Sequence, residues 1–389
     1  MPLASESIGA VQSVRTPNSW RDRLIAIRDR LLASHAFQRF AARFPLTRPI
    51  ARRKAKTLFD LCTGFVHSQV LLACVQLKLF EHLQDAPATI DDLTERLDLP
   101  RASTERLLLA ACSLGLLSRR GGGRFGLGEL GAAFLGNPGL DAMVKHHAHF
   151  YKDLQDPVAL LRGEQSETAL SRYWPYSGTD NKADFNDEAV ADYSHLMAAT
   201  QPMIASHILD AYPVRNHSCL MDIGGGEGAF LEAVAARAPD LNLRLFDLPI
   251  VVERAKRRFD MNGLAHRLIV DGGDFYKDPI PTGADLISLV RIVHDHDDDE
   301  ALHLLKAVRA ALPPAGVLLL AEPMAETPGA EAMGAAYFGF YFLAMGRGRA
   351  RRVDELLAML RSAGFASAEP LPAQIPLLVS VIKATVNKS

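Results

Sequence analysis

At 389 residues the chain exceeds a usual single domain, so two domains are expected. Its 48% hydrophobic and 23% charged residues are those of an ordinary globular protein, and a net charge of −2 gives no general attraction to nucleic acid. Cys62, Cys74, Cys112 and Cys219 lie in apolar runs without a C-x-x-C pair, which argues for buried cytosolic thiols and against a disulfide framework or a zinc site.

The first residues, MPLASESIGAVQSV, lack the basic start and apolar core of a secretory signal, and residues 1–18 are small and polar enough to be disordered. The uncharged run 332–346 is shorter than the roughly 20 residues of a membrane span. A soluble cytoplasmic chain, or one at most peripheral to a membrane, is expected. Between Trp20 and Lys56 eleven Lys and Arg face only Asp22 and Asp29, while Leu24, Ile25, Ile27, Leu31, Leu32 and Phe37 recur at helical spacing. A basic amphipathic helix of this kind can lie on an anionic membrane surface, or pack as an arm on its own domain or on a partner chain. Residues 58–83 form an apolar helix pattern too dense for the surface of a monomer, so they belong to a core or a subunit interface.

Thr89 can cap a helix, residues 98–101 turn, Ser103 can cap a second helix, and residues 118–128 suit a hairpin around three glycines. That is a winged-helix pattern, which admits a DNA-binding regulator, but the second helix is too apolar for a groove reader and is expected to be buried. His146, His147 and His149 have no adjacent acid or thiol at ligand spacing, and are expected in a substrate pocket or in packing. An aromatic knot, residues 173–176, precedes a polar linker, residues 177–187, and a helix over 193–209. These patterns divide the chain into an arm (1–56), a helical winged-helix domain (57–190) and a catalytic domain (191–389).

The third part is organised around CLMDIGGGEGAFLEAVAARAPDLNLRLFD. An apolar strand ends in Asp222, glycines follow, then an Ala-rich helix, then a strand closed by Asp247: the first half of a doubly wound, mostly parallel α/β sheet. The spacing D-x-G-G-G-x-G differs from the dinucleotide G-x-G-x-x-G and suits a nucleoside without a pyrophosphate, S-adenosylmethionine being the candidate. Asp247 is placed to accept hydrogen bonds from two ribose hydroxyls. Further strands are expected at 268–270, 284–290, 317–321 and, antiparallel at one end of the sheet, 377–386, with helices at 250–262, 298–312 and 353–363. Ligands of such sheets sit outside the carboxyl ends of the strands, which directs attention to Gly224, Gly226, Asp247, Gly273, Asp274, Phe275, Arg291, His294 and Glu322.

His294 and Glu322 end neighbouring strands. A carboxylate on one imidazole nitrogen fixes the tautomer and leaves the other nitrogen as a base, the arrangement that methyl transfer from a sulfonium to a hydroxyl needs. Arg291 can pair with the methionyl carboxylate of the cofactor or with an acid of a surface helix. The competing reading of H-D-H-D-D-D-E is a metal site. Residues 297–300 also suit an acidic first helical turn, so no metal is expected.

The motifs MDIGGGEG, LFDLP, GGDFY, RIVHDHDDDE and AEPM, in this order, resemble the S-adenosylmethionine-dependent O-methyltransferases of the plant caffeate and acetylserotonin type. The resemblance covers residues 57–389. It implies a winged-helix dimerisation domain, hence a homodimer, followed by a Rossmann-like catalytic domain. It also implies that Gly224 and Asp247 hold the methionine and ribose parts, that Asp274 and Phe275 hold the adenine, with Gly226 and Gly273 in the same cradle, that Arg291 contacts the cofactor, and that His294 is the base.

More narrowly, LFDLCTGFVHSQVLLACVQLKLFEHL, YSHLMAATQPM and the basic arm are similar to carotenoid O-methyltransferases of purple phototrophic bacteria. That implies the tertiary 1-hydroxyl of an acyclic carotenoid, of the demethylspheroidene or hydroxyneurosporene type, as acceptor. Residues 332–346 would then line a polyene pocket, or serve as a core or interface helix, and the arm would dock on the membrane. Two departures stand out. His296 replaces the usual Trp, and no acid near Ala350 matches the plant enzymes' second glutamate, so Glu322 alone is expected to orient His294. The alternatives are a C-methyltransferase of bacteriochlorophyll biosynthesis and a winged-helix regulator that only senses the cofactor.

Overall fold

The basic, Leu- and Ala-rich start of the chain folds as three helices, α1 (Trp20–Ala33), α2 (His35–Arg43) and α3 (Arg48–Gln76), in a computed structural model that describes residues 20–165, 167–173, 187–372 and 379–387. The polar residues 1–18, the aromatic knot beyond residue 173 and the linker up to residue 186 lie outside the described residues. The chain divides into two units between Val70 and Leu71, within α3. The first unit buries little: α1 has no buried residue and α2 only Ala41. By length and composition Arg48–Gln76 is apolar enough to cross a bilayer, a property the run at 332–346 does not share. Leu58, Phe59, Leu61 and Phe65 on it are exposed, which is the behaviour of an interaction face.

The second unit begins with the winged-helix segment. Strand β1 (Ala88–Thr89) leads into α4 (Ile90–Leu97), α5 (Arg101–Ser113), β2 (Leu117–Arg120) and β3 (Arg124–Leu127), the strands lying antiparallel in the order β1-β3-β2. Thr89 and Asp92 form a reciprocal capping box on α4. The second helix starts at Arg101 behind Pro100, not at Ser103, because proline presets the first-turn φ. Nor is α5 buried all round: Thr104, Leu108 and Ala111 face inward, while Arg101, Glu105 and Arg106 face solvent with mixed charge. Helices α6 (Glu129–Leu135), α7 (Pro138–Asp153), α8 (Pro157–Leu161), α9 (Ala169–Tyr173) and α10 (Asp187–Ala211) follow.

Alternating apolar strands and amphipathic helices then build one seven-stranded sheet. Its members are β4 (Cys219–Ile223), β5 (Asn242–Asp247), β6 (Leu268–Gly272), β7 (Leu286–Val290), β8 (Val317–Glu322), β9 (Ser367–Pro370) and β10 (Ser380–Thr385). The order is β6-β5-β4-β7-β8-β10-β9, parallel except for β10, which runs antiparallel to both neighbours. The last strand is therefore not at the end of the sheet. The edge is taken by β9, whose Pro370 is tolerable only where no ladder hydrogen bond is required.

Helices α11 (Ala229–Arg237) and α12 (Pro249–Met261) pack with α10 on one face, around Leu220, Phe230, Val234 and Phe259. The opposite face carries α13 (Asp298–Ala311) and, after α14 (Gly339–Met345), α15 (Val353–Ser362), around Met221, Ile223, Leu304 and Leu360. Each such fully buried side chain contributes about 1.5–3 kcal/mol by leaving water. Chain direction reverses outward from β4, with β5 on one side and β7 on the other. Ligands of such sheets bind at that switch point, outside the carboxyl ends of β4, β5, β7 and β8. Residues Ala332–Phe338 form a π-helical turn running into α14, a wider winding than the apolar pattern suggested and one common at functional sites.

Candidate functional site

The glycine turn after β4 is shaped by a carboxylate on each side. Gly224 and Gly226 have φ of +68° and +59°, where a side chain is strained. A Cβ on Gly224 would lie 2.6 Å from Ile292 Cδ1, whereas nothing approaches within 4 Å above Gly226, so the turn is open there. Asp247, at the end of β5, accepts the Gly226 N–H at 2.8 Å and the Leu248 N–H at 2.7 Å and so braces the turn. Beneath it Asp222 is 1% exposed. Ser288 Oγ donates to its Oδ1 at 2.6 Å, and Oδ2 has no hydrogen-bond partner among the described residues. Burial pushes this carboxyl up to about 7, against the Ser288 hydrogen bond and with help from the Asp247 charge. Asp222 was legible only as a strand end; its Oδ2 lies directly under Gly225, where a Cβ would come within 2.3 Å of it, so the carboxyl supports the glycine turn from below.

The next strand end continues the same rim. Gly273 N–H donates to the Asp247 carbonyl at 2.9 Å, and Asp274 Oδ1 accepts the Tyr276 N–H at 3.1 Å. The Phe275 ring meets Tyr276 at 4.7 Å and, edge-on, His296 at 5.7 Å. The histidine that replaces the expected Trp thus joins the Asp274–Phe275 rim to the His294 turn. Arg291 follows β7 with φ +58°, its N–H donating to Ala321 O at 2.8 Å. Its guanidinium donates to Thr200 Oγ1 and Gln201 Oε1 on α10, each at 3.2 Å.

His294 lies in a single tight helical turn, Val293–Asp295, all three residues buried. Glu322 Oε1 accepts the Ile292 and Val293 N–H groups at 3.0 and 2.7 Å, and its Oε2 accepts Nδ1–H of His294. The neighbouring-strand argument is thereby fulfilled. Glu322 does not act alone, however: Asp295 Oδ1 lies 3.0 Å from Nε2. Burial by itself would lower the imidazole, but the two carboxylates outweigh it and push His294 up to about 9. The second carboxylate comes from the residue next to the base rather than from the region of Ala350.

That region does something else. Arg351, 2% exposed, donates to Val293 O at 2.8 Å, His296 O at 2.7 Å and Asp298 Oδ1 at 2.9 Å. Arg349 N–H donates to His294 O at 2.9 Å, and Gly348, at φ +75°, packs so closely that a Cβ would lie 2.2 Å from that oxygen. The arginine-rich segment is a clamp on the turn that carries the imidazole.

The acids in the first turn of α13 face guanidinium groups, Asp298 meeting Arg349 and Arg351 and Glu300 meeting Arg347. No group of three His, Cys, Asp or Glu is placed to hold a metal among the described residues. Phe342 of α14 covers the His294 ring at 4.9 Å, and Phe338 stacks on Phe342 at 5.7 Å. Behind them His146 Nε2 is 2.8 Å from the Tyr341 hydroxyl and His147 Nε2 is 2.9 Å from that of Tyr337. Those histidines brace the aromatic wall, and burial pushes His146 down to about 3, which keeps it neutral.

Comparison with known proteins gives the family. Residues 151–366 match the O-methyltransferase domain family and residues 59–137 the O-methyltransferase dimerisation domain family. The chain is 43% identical over 356 residues to the demethylspheroidene O-methyltransferase of Cereibacter sphaeroides, covering 91% of this chain and 93% of that protein. It is 40% identical over 356 residues to the enzyme of the same name from Rhodobacter capsulatus, covering 91% and 88%. The human N-acetylserotonin methyltransferase structure in complex with SAM shares the fold, with a TM-score of 0.69, 24% identity and coverage of 86% of this chain and 98% of that one. The chain belongs to the family of S-adenosylmethionine-dependent O-methyltransferases.

Proposed function

We propose that this enzyme methylates the tertiary 1-hydroxyl of an acyclic carotenoid of the demethylspheroidene type, with His294 as general base. The observation that carries the substrate is the 43% identity, over 91% of the chain, to a demethylspheroidene O-methyltransferase. The crevice fits the cofactor. Among the described residues nothing fills the space above Gly226, Asp222 supports the turn from below, and Asp247 and Asp274 stand at and just beyond successive strand ends to accept hydroxyl and amine donors. Arg291 and Phe275 complete that assignment on the same rim. When bound, S-adenosylmethionine supplies a methyl group made electrophilic by the sulfonium.

The protein's own part is positioning and proton transfer. Glu322, fixed by two backbone N–H groups, holds Nδ1–H, and Nε2, which faces Asp295 Oδ1 at 3.0 Å, takes the proton once the acceptor hydroxyl displaces that carboxylate. Asp295 competes for Nε2 and raises its basicity, which suits an aliphatic alcohol far less acidic than a phenol. Phe338, half-buried and stacked on the core residue Phe342 that covers the imidazole, offers an apolar surface for the polyene end. The enzyme works as a homodimer through its dimerisation segment. Because a carotenoid dissolves in bilayers, it works in the cytoplasm against a membrane face. Incubating the purified protein with methyl-labelled S-adenosylmethionine and a panel of hydroxylated acyclic carotenoids tests the reading. Label is expected in a methoxy carotenoid; transfer to phenolic substrates but to no carotenoid would refute it.

A further inference from the structure

We propose that α1 is an anchor for an anionic bilayer surface, seating Trp20, Leu24, Ile27 and Leu31 among the lipid headgroups and acyl ends while flanking arginines hold phosphates. The inference deepens the reading of a membrane-dissolved acceptor and rests on it for its purpose. The evidence is the helix itself. The spacing 20, 24, 27, 31 places these four side chains in one narrow stripe, while Ile25 and Leu32, also exposed, lie about a third of a turn round from it, beside Arg21 and Arg28. Their exposures are 67, 56, 53 and 48%, and α1 buries nothing.

Charge is sorted around the stripe. By helical geometry Arg21 and Arg28 lie on one flank and Arg23 and Arg30 on the other, while Asp22 and Asp29 fall on the opposite face. Arg28 is ion-paired with Asp29 at 2.7 Å, which leaves Arg21, Arg23 and Arg30 as the flanking charges for phosphates. Long arginine stems beside an apolar stripe can lie along the acyl boundary with their heads at the phosphates, and Trp20 is the side chain that prefers that depth. Residues 20–56 hold eleven Lys and Arg against two Asp, leaving 32 basic against 43 acidic residues in the rest of the chain. A positive arm on an otherwise acidic protein is attracted to an anionic surface. A second copy is a poorer occupant, because the dimerisation-family match begins at residue 59 and leaves α1 outside it.

The test uses the full chain with phosphatidylcholine vesicles, with and without phosphatidylglycerol. The protein is expected to sediment with the anionic vesicles at low salt and to be released by added salt. In a Trp174→Phe background, which leaves Trp20 as the one tryptophan, its emission should shift to the blue on binding. The double variant Leu24→Glu/Ile27→Glu should lose about tenfold or more in partitioning. The variant with Arg21, Arg23, Arg28 and Arg30 all changed to Gln should lose the preference for phosphatidylglycerol. Both should keep the wild-type mass by light scattering and the wild-type rate on detergent-dispersed carotenoid. No sedimentation with anionic vesicles, equal sedimentation of wild type and variants, or a changed oligomeric mass in either variant would overturn the anchor. Failed vesicle binding with intact transfer in detergent condemns the anchor alone. Intact vesicle binding without transfer to any carotenoid condemns the substrate reading alone.

Discussion

His294 sits between two carboxylates, and the direction of that effect sets its pH behaviour. The imidazole is pushed up to about 9, so the neutral form that can accept a proton grows about tenfold for each unit from neutrality toward pH 9. The expected kcat/KM therefore climbs with pH and levels off near 9, and Asp295→Asn should move that rise to lower pH by removing a charge that favours the imidazolium. A profile unchanged in Asp295→Asn would show that Asp295 does not act on the base. Stability has the opposite slope. A folded-state pKa above the unfolded value contributes fully below about 6.5 and is lost as pH rises through 9, so thermal stability should fall across that window and fall less in Glu322→Gln. Glu322 was readable because β7 and β8 were expected to be neighbours. Asp295 was not, because adjacent side chains usually diverge, and only the tight turn Val293–Asp295 brings this one back to its neighbour's ring.

At the scale of elements, the clamp of residues 347–352 keeps the His294 turn in register with Glu322. Arg351→Gln would leave buried carbonyls of Val293 and His296 without donors and should cost about 2–4 kcal/mol in unfolding free energy. Chemical denaturation measures that cost. A pH–rate profile separates positioning from mere stability, since a displaced turn also changes the apparent pKa of the base. In the sequence, GRGRARR signalled only a missing acid. Its role depends on the segment returning over β7, which no local pattern encodes. The edge strand β9 was hidden for a related reason: SAEP has neither alternation nor β-branched residues, and it pairs because β10 offers it a ladder. The glycine turn and the strand-ending acids were legible because their chemistry is local.

For the whole molecule, the exposed Leu58, Phe59, Leu61 and Phe65 of α3 begin where the dimerisation match begins. Phe59→Glu/Leu61→Glu should shift the protein from dimer to monomer in light scattering, because charges buried at an interface without partners are not tolerated. Retention of the dimer would place the interface elsewhere. The account as a whole stands on the carboxyl edge of one sheet bringing cofactor, imidazole and acceptor alcohol together. Its most direct test is methyl transfer to a hydroxylated acyclic carotenoid by His294→Ala beside the wild type, with cofactor binding measured on both by calorimetry. The variant should bind the cofactor as the wild type does and lose about 10²–10⁴-fold in turnover; turnover equal to the wild type's would contradict the account.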